Sequence, residues 1–152
     1  MFRGINVITI DPKGRIALPV RTREEFIVRG QTGFVITIDT EETCLLIYPE
    51  LEWQVIEAKL QNLPSFNPVA RRIQRLLIGH ATDVSLDASG RLLLPQPLRE
   101  HAHLDNKAIL IGQGNKFELW DETLWDDKRR LWLKEEAART DALPEEMKSL
   151  SL

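Results

Sequence analysis

The chain has 152 residues, a length typical of one domain or of two small ones. Hydrophobic residues make up 43% and charged residues 28%, which excludes intrinsic disorder because there is ample apolar surface to bury. No apolar run approaches the roughly 20 residues of a membrane-spanning helix, and the start of the sequence lacks the long apolar segment of a signal peptide. The single Cys44 cannot form an internal disulfide, which favours a reducing cytosol.

The formal net charge of −3 argues against a nucleic-acid partner only when the chain is taken as a whole. Residues 1–30 carry a net charge of +3 and residues 71–103 carry +2, whereas residues 31–70 and 121–152 carry −5 and −3. Electrostatic attraction depends on charges within a Debye length of about 8 Å, so the two basic stretches are the relevant ones. They are either solvated faces or a surface that attracts an anionic partner.

The first elements of the chain follow from its β-branched residues and its turn signals. A strand over Ile5–Ile10 leads into an Asp-x-x-Gly-Arg turn at Asp11–Arg15, here called loop 1, and then into a short strand at Ile16–Leu18. Pro19 suits the start of a short helix over Val20–Ile27. The segments Phe34–Asp39 and Cys44–Tyr48 predict a hairpin around an acidic loop.

Two helices are predicted next. Leu51–Leu63 carries an apolar stripe with helical spacing and is ended by Pro64. A second stripe begins at Pro68, after the potential cap Asn67, and is ended by Gly79.

The rest of the chain repeats its beginning. Residues 7–19 align with residues 83–95 under a shift of 76 positions, which pairs Asp11 with Asp87, Gly14 with Gly90 and Arg15 with Arg91. Arg23-Glu24 likewise matches Arg99-Glu100, and residues 45–53 match 117–125 under a shift of 72. Asp87–Arg91, here called loop 2, is therefore the equivalent of loop 1, and a second hairpin is predicted at 108–111 and 116–120. A helix over Glu122–Arg139 and a frayed tail over Pro144–Leu152 complete the prediction.

A copy of about 45 residues is too small to bury a core of its own. The repeat therefore predicts one core shared by two copies under a pseudo-two-fold axis, with both loops in equivalent places. In each loop the aspartate would organise the turn and the glycine would supply its positive φ. The arginine fork would point into solvent, where it suits phosphate oxygens or the edge of guanine. The alternative is that each Asp–Arg pair is merely a local salt bridge.

Several motifs resemble the MraZ family of bacterial proteins, and each half resembles a swapped-hairpin domain of the SpoVT/AbrB type. The motifs are Met1–Gly4, Asp11–Arg15, Leu45–Pro49, Asn67–Arg72, Leu76–Ala81, Asp87–Arg91 and Asn115–Trp120. The resemblance implies an α+β fold: tandem swapped-hairpin β units form a pseudo-two-fold β core with peripheral helices. It places the first SpoVT/AbrB-like domain at 5–52, a helical connector at 53–80, the second domain at 81–124, and a C-terminal helix and tail at 125–152.

The same resemblance implies a sequence-specific DNA-binding transcriptional regulator, mainly a repressor, of the division and cell-wall gene cluster promoter. It implies binding to repeated half-sites on double-stranded DNA by a homo-oligomer, an octameric or larger ring, in the cytoplasm and on the nucleoid. The DNA-binding residues would be Arg15, Lys13, Arg3 and Arg91, and the loop-organising residues Asp11, Gly14, Asp87 and Gly90. Ser89 replaces Lys13 in loop 2, so Arg91 either binds DNA or packs between subunits.

The sequence contains few motifs that are typical of other classes of function. No nucleophile elbow, P-loop or dinucleotide-binding motif occurs, so we expect no enzyme, catalytic residue, cofactor or small-molecule substrate. His101-Ala102-His103 lacks a metal-binding spacing, and Cys44 in an apolar strand is expected to be a buried small hydrophobe. The four tryptophans are expected to anchor the core or subunit contacts. The alternative function is an antitoxin-like protein-interaction module without a promoter target of its own.

Overall fold

The computed structural model describes residues 1–150 and contains two compact units, Met1–Glu122 and the residues from Thr123 onward. In the first copy of the repeat the elements are β1 (Ile5–Thr9), β2 (Arg15–Ala17), α1 (Val20–Val28), β3 (Gly33–Ile38) and β4 (Leu45–Pro49). The connector contains α2 (Glu50–Gln61) and α3 (Pro68–His80). The second copy contains β5 (Thr82–Ser85), β6 (Arg91–Leu93), α4 (Gln96–His101), β7 (Lys107–Gly112) and β8 (Phe117–Asp121). The predicted order of strand, strand, short helix, strand and strand is thus confirmed in both copies.

The remaining chain forms α5 (Glu122–Ala138) and a single 3₁₀ turn at Glu145–Met147. That turn lies in the tail predicted to be frayed, of which residues 151–152 fall outside the described part. On α5 the rings of Trp125 and Trp132 meet edge to face, 6.2 Å apart between centroids. Within residues 1–150, every helix is too short or too polar to cross a bilayer.

The copies exchange strands. A six-stranded antiparallel sheet has the order β1-β7-β8-β4-β3-β5, so the first strand of each copy lies on the hairpin of the other copy. The short strands β2 and β6, also from different copies, form a second two-stranded sheet. This is the swapped-hairpin α+β architecture that the repeat and the resemblance predict.

The registers locate the pseudo-two-fold axis. In the small sheet Ile16 lies opposite Leu92, which is its own repeat equivalent. In the large sheet Leu46 lies opposite Glu118, which is again its equivalent. A residue that faces its own equivalent in an antiparallel pair sits on the local two-fold, so one axis runs through both sheets. The loops that precede β2 and β6 are therefore related by this axis.

Both copies contribute to one hydrophobic core. Ile16 and Leu92 of the small sheet, and Leu18 and Leu94 directly after its strands, are at most 2% exposed. All four pack in one cluster with the hairpin strands. Full burial of such an aliphatic side chain contributes about 1.5–3 kcal/mol. A single copy would leave this surface in water, so the two copies fold as one body.

Hydrogen bonds define the start of α3 and hold this connector helix against the large sheet. The Asn67 carboxamide oxygen caps α3 by accepting from the backbone N–H groups of Val69 and Ala70, and Pro68 occupies its first turn, as predicted. The buried Thr37 hydroxyl donates to the carbonyl of Leu77 at 2.7 Å, which fixes α3 against β3. The helix runs one residue past Gly79, to His80.

Candidate nucleic-acid interface

Loop 1 is organised by a single carboxylate. Oδ1 of Asp11 accepts from the backbone N–H groups of Lys13 and Arg15, both at 2.9 Å. Oδ2 accepts from Nε of Arg15 at 2.7 Å. The backbone N–H of Gly14 donates to the Asp11 carbonyl at 2.9 Å, and Gly14 has a φ of +87°, a left-handed value that favours glycine.

Loop 2 repeats this arrangement bond for bond. Asp87 accepts from the backbone of Ser89 and Arg91 at 2.9 Å and from Nε of Arg91 at 3.0 Å. Gly90 has a φ of +73° and donates to the carbonyl of Asp87 at 3.0 Å. The loop-organising roles predicted for Asp11, Gly14, Asp87 and Gly90 thus have a concrete geometry in both copies.

The small β2–β6 sheet brings the two loops close together, one at each of its ends, because Arg15 pairs with Leu93 and Arg91 pairs with Ala17. Nη1 of Arg91 lies 3.9 Å from Oδ2 of Asp11, so an arginine of loop 2 reaches the carboxylate of loop 1. Arg15 and Arg91 accordingly lie on one continuous surface, on the face of that sheet opposite to the buried Ile16 and Leu92. Two copies of the motif, separated by 76 positions in sequence, form a single composite surface.

The arginine forks do not project freely into solvent, contrary to expectation. The side chains of Arg15 and Arg91 are 27% and 34% exposed, and each donates through Nε to its own aspartate. The four-residue spacing brings each guanidinium back onto the carboxylate that organises its turn. The local salt bridge, which was the alternative interpretation, therefore exists in both loops and fixes the orientation of each guanidinium.

The electrostatics of the two aspartates match their geometry. The hydrogen bond from the backbone N–H of Arg15 is the largest effect on the pKa of Asp11 and lowers it. Burial is the next largest effect and raises this pKa, and the Arg15 side chain lowers it further, so that the net shift is downward. The backbone N–H of Arg91 lowers the pKa of Asp87 in the same way. Both carboxylates are therefore ionised at neutral pH, and both ion pairs persist there.

The other two predicted DNA-binding residues differ in position. Lys13 is exposed at the tip of loop 1, beside Arg15. Arg3 lies at the opposite end of β1, where the N–H of Gly112 donates to Gly4, whereas loop 1 follows the end at which Thr9 pairs with Lys107. The five residues of β1 span about 17 Å. Arg3 instead lines a separate groove of about 900 Å³ together with Arg21 and Arg29.

The structure also brings Arg23 and Arg99 to the loops, although neither was a predicted site residue. Each is half-buried and lies against the loop of the opposite copy. Their identity across the repeat was a signal in the sequence, but it did not reveal which loop each would contact.

Within residues 1–150, one group of side chains has metal-ligand chemistry, and its cysteine is a protonated thiol. Donor atoms of Asp39, Cys44 and Glu118 lie within 4.8 Å of one another. Burial raises the pKa of the Cys44 thiol far above its usual range, and burial also raises the pKa of Glu118. A metal-binding cysteine must be a thiolate, whereas this protonated thiol contacts Oδ2 of Asp39 at 3.9 Å. Cys44 is fully buried, as predicted for a small hydrophobe.

Comparison with known proteins identifies the family. A family model described as "MraZ protein, putative antitoxin-like" matches residues 1–76 and again residues 77–142. The chain belongs to the MraZ family. Proteins named Transcriptional regulator MraZ are 62% identical to it in Legionella pneumophila, 57% in Coxiella burnetii and 51% in Halorhodospira halophila. Each match covers 152 residues, all of this chain and all of the relative.

The two MraZ matches meet between residues 76 and 77, inside α3, so that each match contains one complete copy of the internal repeat. The relatives support a transcriptional regulator as the class of protein, and that class implies a protein that is not an enzyme. In this MraZ-family chain the composite surface of the two loops is accordingly the candidate DNA interface.

Proposed function

We propose that this chain is a sequence-specific DNA-binding transcriptional regulator whose composite surface of loop 1 and loop 2 contacts double-stranded DNA. The observation that carries the proposal is the 3.9 Å approach of Arg91 to Asp11, because it joins two Asp–Arg motifs into one surface. Arg15 and Lys13 provide the main contacts, Arg91 an adjacent one, and Arg3 a separate one at the far end of β1.

The ion pairs within the loops are compatible with this role. Each aspartate engages Nε of its arginine. A guanidinium has five N–H donors, so the terminal amino groups keep donors for phosphate oxygens or for O6 and N7 of guanine. An arginine whose orientation is already fixed also loses less conformational entropy on binding. The aspartates thus prepare the arginines and need not touch DNA themselves.

One subunit offers few contacts, which favours action as an oligomer. We propose an octameric or larger homo-oligomeric ring that presents several composite surfaces to repeated half-sites, so that individually weak contacts gain avidity. Large apolar side chains that the 1–122 unit leaves exposed suit subunit contacts; they include Ile5, Val7, Val20, Val28 and Phe66. The ring would act in the cytoplasm and on the nucleoid, mainly as a repressor of the division and cell-wall gene cluster promoter.

The central test is a promoter-shift assay with Arg15→Ala. We expect at least a ten-fold loss of specific binding. The mass of the oligomer, measured by light scattering, should not change, because the Arg15 side chain lies at the surface and outside the core. Lys59→Ala removes one exposed cation from α2 and serves as the matched control. Unchanged promoter binding by Arg15→Ala would contradict the assigned role.

Two further measurements separate the proposal from the antitoxin-like alternative. A scrambled DNA should compete poorly with the promoter, whereas equal competition would favour an interaction module with only nonspecific affinity for DNA. The logarithm of the binding constant should fall linearly with the logarithm of salt concentration, because phosphate contacts release counterions. A flat dependence would remove phosphate neutralisation from the mechanism.

A further inference from the structure

Arg99 of the second copy lies directly over loop 1 of the first copy. A Cβ placed on Gly14 would meet Cζ of Arg99 at 2.7 Å and its Nε at 2.8 Å, so the guanidinium covers the glycine backbone and Gly14 is buried. Nε of Arg99 also donates to the carbonyl of Leu94 at 3.2 Å, and the N–H of Leu94 donates to the carbonyl of Gly14 at 2.9 Å. Arg99 thereby ties the end of β6 to loop 1.

Arg23 of the first copy occupies the equivalent place over loop 2. A Cβ on Gly90 would collide with Cδ of Arg23, and Nη1 of Arg23 donates to the carbonyl of Ser89 at 3.3 Å. The N–H of Leu18 donates to the carbonyl of Gly90 at 3.4 Å, which mirrors the bond between Leu94 and Gly14. On both sides of the pseudo-two-fold axis an arginine of one copy covers the loop glycine of the other, Arg99 with its guanidinium and Arg23 with its aliphatic stem. This correspondence indicates a shared role rather than a chance contact.

We propose that Arg23 and Arg99 are positioning residues for DNA binding, each of which holds the loop of the opposite copy in its binding conformation. This inference rests on the proposed function and deepens it: neither DNA-binding loop is complete within its own copy. Loop 1 depends on an arginine 84 positions beyond Arg15, and loop 2 depends on an arginine of α1.

The physical reason is that each loop requires a glycine with positive φ. Such a glycine is the most flexible residue of its turn, and the Asp–Arg bonds act on the flanking backbone. A planar guanidinium laid over Gly14 excludes water from its backbone and removes alternative conformations. Loss of Arg99 should therefore loosen loop 1 while leaving Asp11 and Arg15 in place.

The first experiment requires no DNA. Amide hydrogen exchange of the 152-residue chain should show faster exchange in residues 11–15 for Arg99→Ala and in residues 87–91 for Arg23→Ala. Arg21→Ala, an exposed neighbour of Arg23 on the same helix, is the matched control and should change neither segment. Faster exchange in the loop of the same copy only, or no change in either loop, would overturn the proposal. This arm stays informative even if the protein does not bind DNA.

The second experiment is a pair of double-mutant cycles in promoter binding. Arg99→Ala should weaken binding about ten-fold in the wild-type background and have little further effect when combined with Arg15→Ala, because both disable loop 1. With Arg91→Ala its effect should be retained in full. Coupling of Arg99 to Arg91 in place of Arg15 would contradict the assignment across copies.

Arg99→Lys distinguishes positioning from direct contact with phosphate. The lysine keeps the charge but lacks the planar guanidinium, so a positioning role predicts the same loss of binding as in Arg99→Ala and an unchanged salt slope. Full binding by Arg99→Lys, together with a salt slope reduced by about one in Arg99→Ala, would show a phosphate contact and overturn the positioning role. If Arg15→Ala itself leaves promoter binding intact, the proposed function fails, and the exchange experiment alone judges the positioning of the loops.

Discussion

Loop 1 and loop 2 share their internal bonds but differ in the side chain at their tip. The aspartate of each loop accepts the same three hydrogen bonds, at distances that agree within 0.3 Å. At the exposed tip, however, loop 1 carries Lys13 and loop 2 carries Ser89. The geometry that holds an arginine in place is thus retained twice, whereas the outward-facing charge is not.

The edges of the large sheet differ in the same way. On β1 the side chains of Ile5 and Val7 are 56% and 62% exposed. Their equivalents in the second copy are the half-buried Ala81, just before β5, and the exposed Asp83 on β5. A charged residue on an edge strand discourages pairing with another chain, whereas an apolar edge invites it. The comparison shows which parts of each copy serve the common fold and which were free to acquire separate roles.

The largest expected effect tests the part that the copies share. Ile16→Ala and Leu92→Ala should each lower the free energy of unfolding by about 2–5 kcal/mol, because both side chains are fully buried on the pseudo-two-fold axis. Urea unfolding followed by circular dichroism measures both. A large loss from one variant and almost none from the other would show that the core is not shared equally.

The edges provide the next test. Val7→Lys should weaken or abolish the oligomer, because it places a charge on the apolar edge proposed for subunit contact. Asp83→Lys, at the equivalent position of β5, should leave the assembly unchanged. Light scattering coupled to size-exclusion chromatography gives the mass of each variant. If only Asp83→Lys disrupts the oligomer, the subunit contact lies at the β5 edge, and the proposed contact at the β1 edge is wrong.

Exchange of the loop tips should have a smaller effect. Lys13→Ser removes one cation, so promoter affinity should fall several-fold and the salt slope should decrease by about one. Ser89→Lys should raise affinity if loop 2 faces DNA, and should have no effect if Arg91 packs between subunits instead. Fluorescence anisotropy at several salt concentrations measures both. An unchanged salt slope for Lys13→Ser would remove Lys13 from the interface.

The smallest effect is that of pH. The pKa values of Asp11 and Asp87 are lowered in the folded state, so their contribution to stability is fully present above the ordinary aspartate pKa of 3.8 and is lost as the pH falls through the lowered values. Between pH 5 and 8 neither aspartate should titrate. Carbon-detected NMR of the carboxyl groups should give both midpoints below 3.8. A midpoint above 3.8 for either residue would contradict the geometry of its loop.

Much of the fold could be predicted from the sequence because it is local or repeated. Strand periodicity, the glycine turns, and the proline and asparagine signals around α3 gave the elements, and the repeat required a shared core. The register could not be predicted, since no local pattern states that Ile16 faces Leu92. That pairing arises only when both copies pack together.

The candidate site was predictable to the same extent. The Asp-x-x-x-Arg spacing identified both loops and their organising residues. It did not show that each guanidinium turns back to its aspartate, because the spacing is compatible both with an arginine that points into solvent and with a local salt bridge. The contacts of Arg23 and Arg99 depend on the exchange of strands between copies. The residue spacing within one copy therefore could not predict which loop each arginine contacts.

The exchanged strands also bear on how such a chain could arise. β1 completes the hairpin of the second copy, and β5 completes that of the first. A polypeptide with only one copy would therefore complete its sheet only by forming a homodimer. Joining two copies through α2 and α3 replaces that encounter with an intramolecular one, so assembly of the core no longer depends on protein concentration. In a homodimer every substitution is also present in both chains. In the fused chain a substitution can occur in one copy alone, and the loop tips and sheet edges of the two copies do differ.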